Sequence, residues 1–364
     1  FKKTSENIYK IFVKAEKNII YNAPVMQLTV YSCILLISWI GAKMIVSDAL
    51  TTGELMSLLA YCMNILSSLM MLSMVFIMIT MSTASMKRIA EVLRETSDIT
   101  NPENPIYEVP DGSVEFRHVD FSYKQDSNEP VLKDIHLSVH SGETIGVMGA
   151  TGSAKTSLVN LISRLYDVTE GEILVGGRNV KEYDLETLRN QVSVVLQNNV
   201  LFSGTILENL RWGNPDATKE ECVEACRLAC ADEFIERFPD GYDTHIEQGG
   251  TNVSGGQKQR LCIARALLKK PKVLILDDST SAVDTATDAK IRQAFATEIP
   301  NTTKFIIAQR ISSIQNADRI IVMENGQVNA FGTHEELLET NEIYREVYET
   351  QTKGGGDFDE RVGE

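Results

Sequence analysis

The chain has 364 residues, a formal net charge of −15 and 43% hydrophobic residues, and its length allows two or three domains. The charge argues against a nucleic-acid partner, because no basic tract offsets the acidic residues. Apolar residues are concentrated before residue 90, whereas the rest has the composition of a soluble α/β domain. The sequence starts at Phe1 without an initiator Met or a signal-peptide pattern, so we expect it to be part of a longer protein.

Residues 1–98 have the pattern of a helical membrane segment. Residues 1–17 carry five lysines at spaced positions, which is typical of an exposed amphipathic helix. Two long uncharged runs predict spanning helices over about residues 20–45 and 55–82, the second with an extension into water, because a hydrocarbon core is about 30 Å thick. Basic residues outside both spans predict that the outer ends are cytoplasmic. The alternative is a buried helical hairpin in a soluble protein.

Methionines are concentrated in the uncharged run of residues 55–86, which contains the second span and holds eight of the twelve. Five of them follow steps of three, four and seven residues and should share one helix face: Met63, Met70, Met74, Met78 and Met81. Flexible thioethers on one face could line a cavity for varied apolar ligands. They could equally pack against neighbouring helices or lipid.

Prolines end the helical pattern and mark a linker over residues 99–112. Residues 113–350 then alternate strand and helix patterns. Near their end, ADRIIVMENGQV predicts a hairpin about residues 324–326, and Thr333 with Glu336 predicts a capping box for one last helix. Residues 351–364 have the composition of a polar tail. The first two strands, SVEFRHVDFSY and VLKDIHLSV, alternate apolar and polar residues as antiparallel strands do. Tyr123 ends the first of them, and pattern alone leaves a core role and a functional role equally open.

The segment IGVMGATGSAKTS, residues 145–157, predicts a phosphate-binding loop between a buried strand and a helix. Gly149 and Gly152 allow several backbone N–H groups to point at an anion near the helix N-terminus. Lys155 would reach the terminal phosphates and Thr156 would hold Mg²⁺.

The loop departs from its usual pattern at Ala154, where glycine is expected. If that position needs a positive φ, a Cβ costs on the order of 1 kcal/mol. We therefore expect weakened nucleotide binding that is not abolished. An ordinary strand-to-helix loop with chance glycines is the alternative.

Polar residues lie at the ends of three later strands of the predicted sheet. Gln197 directly follows a strand, where its carbonyl could reach a metal or a water. The fully apolar strand in KVLILDDSTSAVD closes on Asp277 and Asp278, as expected for a buried parallel strand that ends near the loop. Asp277 is the natural Mg²⁺ carboxylate. A further buried strand ends at Gln309.

The segment VSGGQKQR predicts a second helix start that favours an anion. Ser254 has the position of an N-cap, and Gly255 and Gly256 free the backbone. One chain has little use for two phosphate sites beside one Mg²⁺ site, so we expect the second to serve another chain's nucleotide. The alternative is a plain capped helix.

The six cysteines lack the spacing of a disulfide scaffold and are expected to be free thiols. Cys222, Cys226 and Cys230 recur every four residues, so on a helix they would share one face. A soft-metal site is one interpretation. Packing of small residues against a core is the other, and no CxxC pair supports the metal.

Taken together, the motifs resemble the C-terminal part of an ATP-binding cassette (ABC) exporter half, over nearly the whole chain. The matching segments are GATGSAKT (Walker A), VVLQ (Q-loop), VSGGQKQR (signature), VLILDD (Walker B), SAVD (D-loop) and IIAQR (switch strand). The resemblance implies two membrane helices, corresponding to the fifth and sixth of such a half, with residues 2–17 near the loop that meets a partner cassette. It also implies an α/β P-loop NTPase cassette with an antiparallel β subdomain and a helical subdomain.

Site residues follow from the same resemblance, with ATP and Mg²⁺ as cofactors. Tyr123 would stack on adenine, Gln197 would sense Mg²⁺, and Asp284 would lie at the cassette dimer interface. The implied nucleotide-binding set is Tyr123, Gly149, Gly152, Ser153, Ala154, Lys155, Thr156, Ser157, Gln197 and Asp277, of which Thr156, Gln197 and Asp277 would bind the metal. The implied set for the partner's ATP is Ser254, Gly255, Gly256 and Gln257.

Two departures fall on the catalytic positions. Asp278 replaces the family's catalytic glutamate and Gln309 replaces its switch histidine. Hydrolysis needs a base that positions water near the γ-phosphate, and a 1 Å misplacement can cost about a hundredfold in rate. Glutamine can donate a hydrogen bond to a phosphate but has no titratable imidazole. We therefore expect that ATP hydrolysis at this chain's own nucleotide site is impaired.

Cassettes of this family sandwich two ATP molecules head to tail, so an intact signature would still serve a partner. The pattern resembles the degenerate half of a bacterial heterodimeric exporter, many of which export drugs. It implies a partner half with the catalytic Glu and switch His, an inner-membrane multi-pass location with a cytoplasmic cassette, and an apolar or amphipathic small-molecule substrate. A slow homodimeric ATPase and a nucleotide-gated regulatory subunit that moves no substrate are the alternatives.

Overall fold

The computed structural model describes residues 2–124 and 129–354. It divides the chain into two compact units, residues 1–97 and 98–364. The first unit is helical, with α1 at Lys2–Ile20, α2 at Asn22–Val46 and α3 at Thr52–Arg94. Two stretches are long and apolar enough to cross a membrane, Pro24–Val46 and Thr52–Arg94.

Helix α3 has 43 residues and is therefore about 65 Å long, more than the hydrocarbon of a bilayer requires. No residue of α3 is buried in the described unit, and only 6% of the most apolar stretch of α2 is buried. Many of the large apolar side chains of both helices are exposed, including the five methionines that share one face of α3, and most of the others are half-buried. A hairpin buried in a soluble protein, the alternative interpretation, does not fit this exposure.

The link between α2 and α3 is short and its polar groups bond locally. Thr51 caps α3, because its hydroxyl accepts from Glu54 N at 3.2 Å while the Glu54 carboxylate accepts from Thr51 N at 2.8 Å. Asp48, just after α2, has a positive φ of 51°, a conformation that Asp tolerates better than most residues. The chain therefore turns sharply at Asp48, and the capping pair of Thr51 and Glu54 begins α3.

The second unit contains twelve strands and nine helices within its described residues. The strands are β1 Val114–Phe121, β2 Leu132–Val139, β3 Thr144–Met148, β4 Glu170–Val175, β5 Arg178–Asn179, β6 Val192–Val195, β7 Gly204–Thr205, β8 His245–Ile246, β9 Val273–Asp277, β10 Thr303–Ile307, β11 Arg319–Glu324 and β12 Gln327–Gly332. The helices are α4 Lys155–Ile162, α5 Leu185–Gln191, α6 Ile206–Arg211, α7 Lys219–Leu228, α8 Asp232–Ile235, α9 Gly255–Leu267, α10 Thr285–Glu298, α11 His334–Thr340 and α12 Glu342–Gly354.

The central sheet has six strands in the order β12-β11-β3-β10-β9-β6. All neighbouring pairs are parallel except β11 with β12, whose hairpin turns at Asn325 and Gly326 with positive φ at both. A separate four-stranded antiparallel sheet has the order β2-β1-β4-β5, and the antiparallel pairing predicted for the first two strands is confirmed.

Both faces of the central sheet are buried, which is why β9 is apolar at every position before its closing aspartate. Val273 and Ile275 pack in a cluster with α4 and the antiparallel sheet. Leu274 and Leu276 point to the other face and pack with apolar residues of α7, α9 and α10. The sheet is thereby fixed between two layers, and its carboxyl edge is the surface left to carry a site.

The segment predicted as a linker is fastened to the cassette. Asn101 Nδ2 donates to Asp184 Oδ1 at 2.6 Å, and Asn101 Oδ1 accepts from Leu185 N at 2.8 Å. Ile106 forms an isolated parallel bridge with Tyr183, and Val109 is buried. The predicted linker is therefore part of the second unit, to which it is bonded from Asn101 onward.

The shared helix face predicted for three cysteines is wrong. Helix α7 ends at Leu228, and Cys230 lies beyond it with a φ of 51°. Burial raises the pKa of Cys222 and Cys230, and that of Cys226 to about 12, as expected for thiols packed against a core. Among the described residues, no group of three or more His, Cys, Asp or Glu is placed to hold a metal.

The C-terminus has two helices where the sequence predicted one. The capping box of Thr333 and Glu336 is confirmed at the start of α11. Asn341 then adopts an extended conformation, and its side chain accepts from Tyr344 N at 2.8 Å to begin α12. The first four residues of the predicted tail, 351–354, are part of α12, and the rest of that tail lies outside the described residues.

Candidate functional site

Four neighbouring strands end at the same edge of the central sheet and bring the predicted site residues there. Because β3, β10, β9 and β6 are parallel, their carboxyl ends lie side by side. The phosphate loop follows β3, Asp278 follows β9, Gln309 lies just past β10 and Gln197 just past β6. The topology therefore gathers residues that are up to 160 positions apart in sequence.

The loop after β3 has the backbone that a phosphate cradle requires. A Cβ at Gly149 would collide with the carbonyl oxygen of Met323, so only glycine fits there. Gly152 and Ala154 have positive φ values of 85° and 71°. The condition stated for Ala154 is met: a non-glycine residue sits in the left-handed region, which costs on the order of 1 kcal/mol.

Lys155 begins α4 and folds back over the loop. Its Nζ donates to the carbonyl oxygens of Gly149 at 2.6 Å and Ala150 at 2.9 Å. Phosphate oxygens of a nucleotide would compete with these carbonyls for the same ammonium group. Ser153 is buried, and its hydroxyl lies 3.5 Å from Nζ. The loop thus holds one cation at its centre.

Thr156 and Asp277 form the oxygen pair expected for a magnesium site. The Thr156 hydroxyl donates to Asp277 Oδ2 at 2.8 Å. A hydroxyl and a carboxylate are hard oxygen ligands, and Mg²⁺ is commonly held by one or two carboxylates together with substrate phosphates. The residues present therefore fit the ion that the fold implies, with Gln197 as the third candidate ligand.

Burial raises the pKa of Asp277, and the hydrogen bond from Thr156 and the charge of Lys155 oppose that rise only in part. An aspartate with a raised pKa in the folded state stabilises the fold below its ordinary pKa. That contribution is lost as pH rises through the raised value. At neutral pH the buried charge therefore destabilises the nucleotide-free protein.

Asp277→Asn should consequently raise the melting temperature of the nucleotide-free protein at pH 7, because it keeps an acceptor for Thr156 and removes the buried charge. The difference from the parent should narrow as pH falls through the raised pKa. Thermal unfolding at a series of pH values measures both. The control is Asp284→Asn, since hydrogen bonds to Thr287 lower the pKa of the exposed Asp284. A lower melting temperature for Asp277→Asn would contradict the assignment.

Asp278 is bracketed by two amide side chains. Gln197 Nε2 and Gln309 Nε2 each lie 3.3 Å from Asp278 Oδ2 and donate to it. The backbone of Asp278 has a φ of 49°, and its N–H donates to Ile307 O at 3.0 Å. One of the two oxygens of this carboxylate is thus engaged by two amide donors.

Tyr123 lies beside the loop at the end of β1. Its hydroxyl is 2.8 Å from Ser157 Oγ, and its ring packs edge-on against Phe121 and Tyr166. The side chain is 52% exposed, which leaves ring surface for stacking. Ser157 is buried, and its hydroxyl is bonded to the hydroxyl of Tyr123.

The signature residues form a second helix start on α9. Ser254 caps that helix, because its hydroxyl accepts from Gln257 N at 3.3 Å and the Gln257 amide oxygen accepts from Ser254 N at 2.9 Å. Ser254 and Gly255 are exposed. Asp284 likewise caps α10 by accepting from Thr287 N at 3.0 Å. Each residue is bonded within its own helix start and lies on the surface.

Sequence reasoning missed the residues that connect these parts. Buried Gln259 on α9 donates to Ser281 Oγ at 3.2 Å and accepts from Ala282 N at 3.0 Å, which ties the signature helix to the D-loop. A buried glutamine on an otherwise apolar helix face was the available signal, because buried amides are almost always hydrogen-bonded.

A solved structure has a similar architecture. A chain from "Structure of a bacterial Atm1-family ABC exporter with ATP bound" aligns with a TM-score of 0.84 and 30% identity, over 93% of this chain and 60% of that one. This chain has the ABC exporter fold. It combines a helical transmembrane part with a P-loop NTPase cassette, as the sequence predicted, and residues 132–281 match the family model described as ABC transporter.

Curated relatives agree with the fold. "Uncharacterized ABC transporter ATP-binding protein YfiB" of Bacillus subtilis is 40% identical over 96% of this chain and 61% of that protein. YgaD of the same bacterium, provisionally named a multidrug export ATP-binding/permease protein, is 41% identical over 84% of this chain and 53% of that protein. The chain therefore spans little more than half the length of these two relatives.

Proposed function

We propose that this chain is half of an ATP-driven exporter whose own nucleotide site binds ATP and Mg²⁺ but hydrolyses ATP poorly. Its signature motif completes the competent site of a second half, which carries the catalytic Glu and the switch His. ATP hydrolysis at that competent site would supply the energy for export by the pair. The chain's own residues bind and orient the nucleotide of the chain's own site, and they release product slowly or not at all at this site.

The observation that carries this proposal is the arrangement around Asp278. The side chain is one methylene shorter than glutamate, and one of its oxygens accepts from both Gln197 and Gln309. Attack on a γ-phosphate needs a carboxylate or amide that orients the water. Here the two neighbouring amides hold the short carboxylate, so it is poorly placed to take a proton from water.

Binding, by contrast, is well supported. The loop offers left-handed backbone at Gly152 and Ala154, a central ammonium from Lys155, and an oxygen pair from Thr156 and Asp277. An anion at the start of α4 also gains from the partial positive charge of the helix N-terminus. The strain at Ala154 lowers affinity without removing any of these groups.

The transport part of the proposal rests on the membrane helices and on the relatives. The two apolar helices fit a multi-pass protein of the inner membrane, and the basic residues beyond them favour a cytoplasmic cassette. The provisional name of YgaD, which refers to multidrug export, supports an apolar or amphipathic small molecule as the substrate. The methionine stripe, if it faces a cavity, offers a flexible surface for such molecules.

The test compares the purified chain alone with the chain assembled with its partner half. Alone, the chain should bind ATP in the presence of Mg²⁺ and hydrolyse it about a hundredfold more slowly than the pair. Phosphate release and binding of a fluorescent ATP analogue measure the two properties. Equal turnover of both preparations would show a working homodimer. Vesicles that contain the pair and accumulate no dye on ATP addition would favour the regulatory-subunit alternative.

A further inference from the structure

The C-terminal helix α12 holds the turn that carries Gln309. Gln351 Nε2 donates to the carbonyl oxygen of Gln309 at 2.9 Å, and Gln351 Oε1 accepts from Ile311 N at 2.8 Å. One amide therefore bonds both ends of a three-residue turn. Its partners are 42 and 40 positions away in sequence, so these contacts form only once the cassette has folded.

Helix α12 is itself well anchored. Tyr344 and Val347 on this helix are buried, and the Tyr344 hydroxyl lies 2.6 Å from His334 Nδ1 on α11. Arg345 donates to the carbonyl oxygens of Leu338 at 2.8 Å and Glu339 at 2.9 Å, at the end of α11. The position of Gln351 is thus fixed by the packing that precedes it on the same helix.

The residues after the turn are held by a different helix. On α10, Arg292 Nη1 donates to Ser312 O at 2.9 Å, and Asp288 accepts from Ser313 Oγ at 3.2 Å. Arg292 and Asp288 also pair with each other at 2.9 Å. Helix α10 therefore fixes residues 312 and 313, and Gln351 supplies side-chain contacts to the backbone of residues 309 and 311.

The backbone of Gln309 determines where its side chain can reach. The Gln309 amide donates to Asp278 at 3.3 Å. By the family resemblance, Gln309 has the switch position, from which a γ-phosphate would be contacted. If the carbonyl of Gln309 were released, the residue could rotate and its amide would no longer be directed at that point. Two neutral hydrogen bonds are a modest restraint, but they act on the residue that senses the last phosphate.

We propose that Gln351 is a positioning residue for the γ-phosphate contact of Gln309, and that α12 thereby sets how strongly this site distinguishes ATP from ADP. This inference rests on the proposed function, because it requires that the site binds ATP. The site would thereby distinguish a nucleoside triphosphate from the corresponding diphosphate. The contribution is to ground-state binding, so it remains measurable at a site with little turnover.

The experiment measures ATP and ADP affinity of the purified full chain with Mg²⁺. Gln351→Met keeps the length and helix preference of the side chain and removes both hydrogen bonds. It should weaken ATP binding about fivefold and leave ADP binding unchanged, because only ATP has the phosphate that Gln309 contacts. The matched control is Thr350→Ala, whose hydroxyl bonds only within α12, to Glu346 O at 2.8 Å. It should change neither affinity.

A double-mutant cycle separates positioning from general stability. In a Gln309→Ala background, Gln351→Met should have no further effect on the ratio of ATP to ADP affinity. Faster hydrogen exchange at Ile311 N–H in Gln351→Met would confirm that the turn was released without unfolding. Equal weakening of ATP and ADP, or an undiminished effect in the Gln309→Ala background, would overturn the inference. A parent chain that binds no ATP would instead overturn the proposed function.

Discussion

Ser254→Asp on this chain should reduce the ATPase rate of the assembled pair about a hundredfold, whereas Lys155→Ala should reduce it less than about threefold. The two substitutions probe different sites. In the proposed function, Ser254 belongs to the helix start that serves the partner's nucleotide, and Lys155 belongs to the chain's own phosphate loop. A pair with one working site should respond to the first and tolerate the second.

The design uses the capping role of Ser254. Aspartate is as good an N-cap as serine, so the bond to Gln257 N is preserved and α9 should remain folded. The added carboxylate would face a triphosphate and repel it. Ser254→Asn keeps the cap without the charge and is the matched control, with a much smaller expected loss.

Steady-state phosphate release from the purified pair measures all three variants. Loss of activity in Lys155→Ala comparable to that in Ser254→Asp would mean that both nucleotide sites turn over. The proposed asymmetry would then be wrong. Similar losses in Ser254→Asp and Ser254→Asn would trace the effect to the helix start itself, and the proposed role of the signature would lose its support.

Asp278→Glu combined with Gln309→His should raise hydrolysis at this chain's own site by about two orders of magnitude. The added methylene extends the carboxylate toward the water position, and the imidazole replaces an amide that now donates to Asp278. The measurement is phosphate release from a pair in which the partner's Walker A lysine is replaced, so that only this site can turn over.

The single variants divide the effect between the two positions. We expect Asp278→Glu to give most of the gain, since it restores the group that orients water. Asp278→Asn serves as the control and should give none. If the double variant stays at the parent's rate, the impairment lies elsewhere, and the strained Ala154 is the next residue to restore to glycine.

Local signals in the sequence were sufficient for much of this architecture. Capping boxes, the loop glycines and the Asn325–Gly326 turn each depend on residues within four positions of one another, so a short window contains the cause. The alternation of the first two strands likewise reflects one face packed on a core. These features are where prediction and structure agree.

Other features depended on contacts that no short window contains. Helix α7 stops before Cys230 without a glycine or proline to mark the end. Asn341 interrupts the last helix through a side-chain bond to Tyr344 N, a signal that resembles many surface asparagines. The two hydrogen bonds of the Gln351 side chain to the backbone of residues 309 and 311 join positions about 40 apart in sequence. Such contacts are determined by tertiary packing. In the sequence, Gln351 is only one polar residue on an amphipathic helix.

The five-residue link between α2 and α3 bears on how the membrane part is made. Asp48 is its one charged residue, and the nearby Glu54 at the start of α3 is bonded to Thr51 N, so few charged groups must be carried through the hydrocarbon. A short connection of this kind lets two apolar helices enter the bilayer together as a hairpin during synthesis. We expect the pair of helices to behave as one insertion unit, with the polar bend crossing the bilayer first.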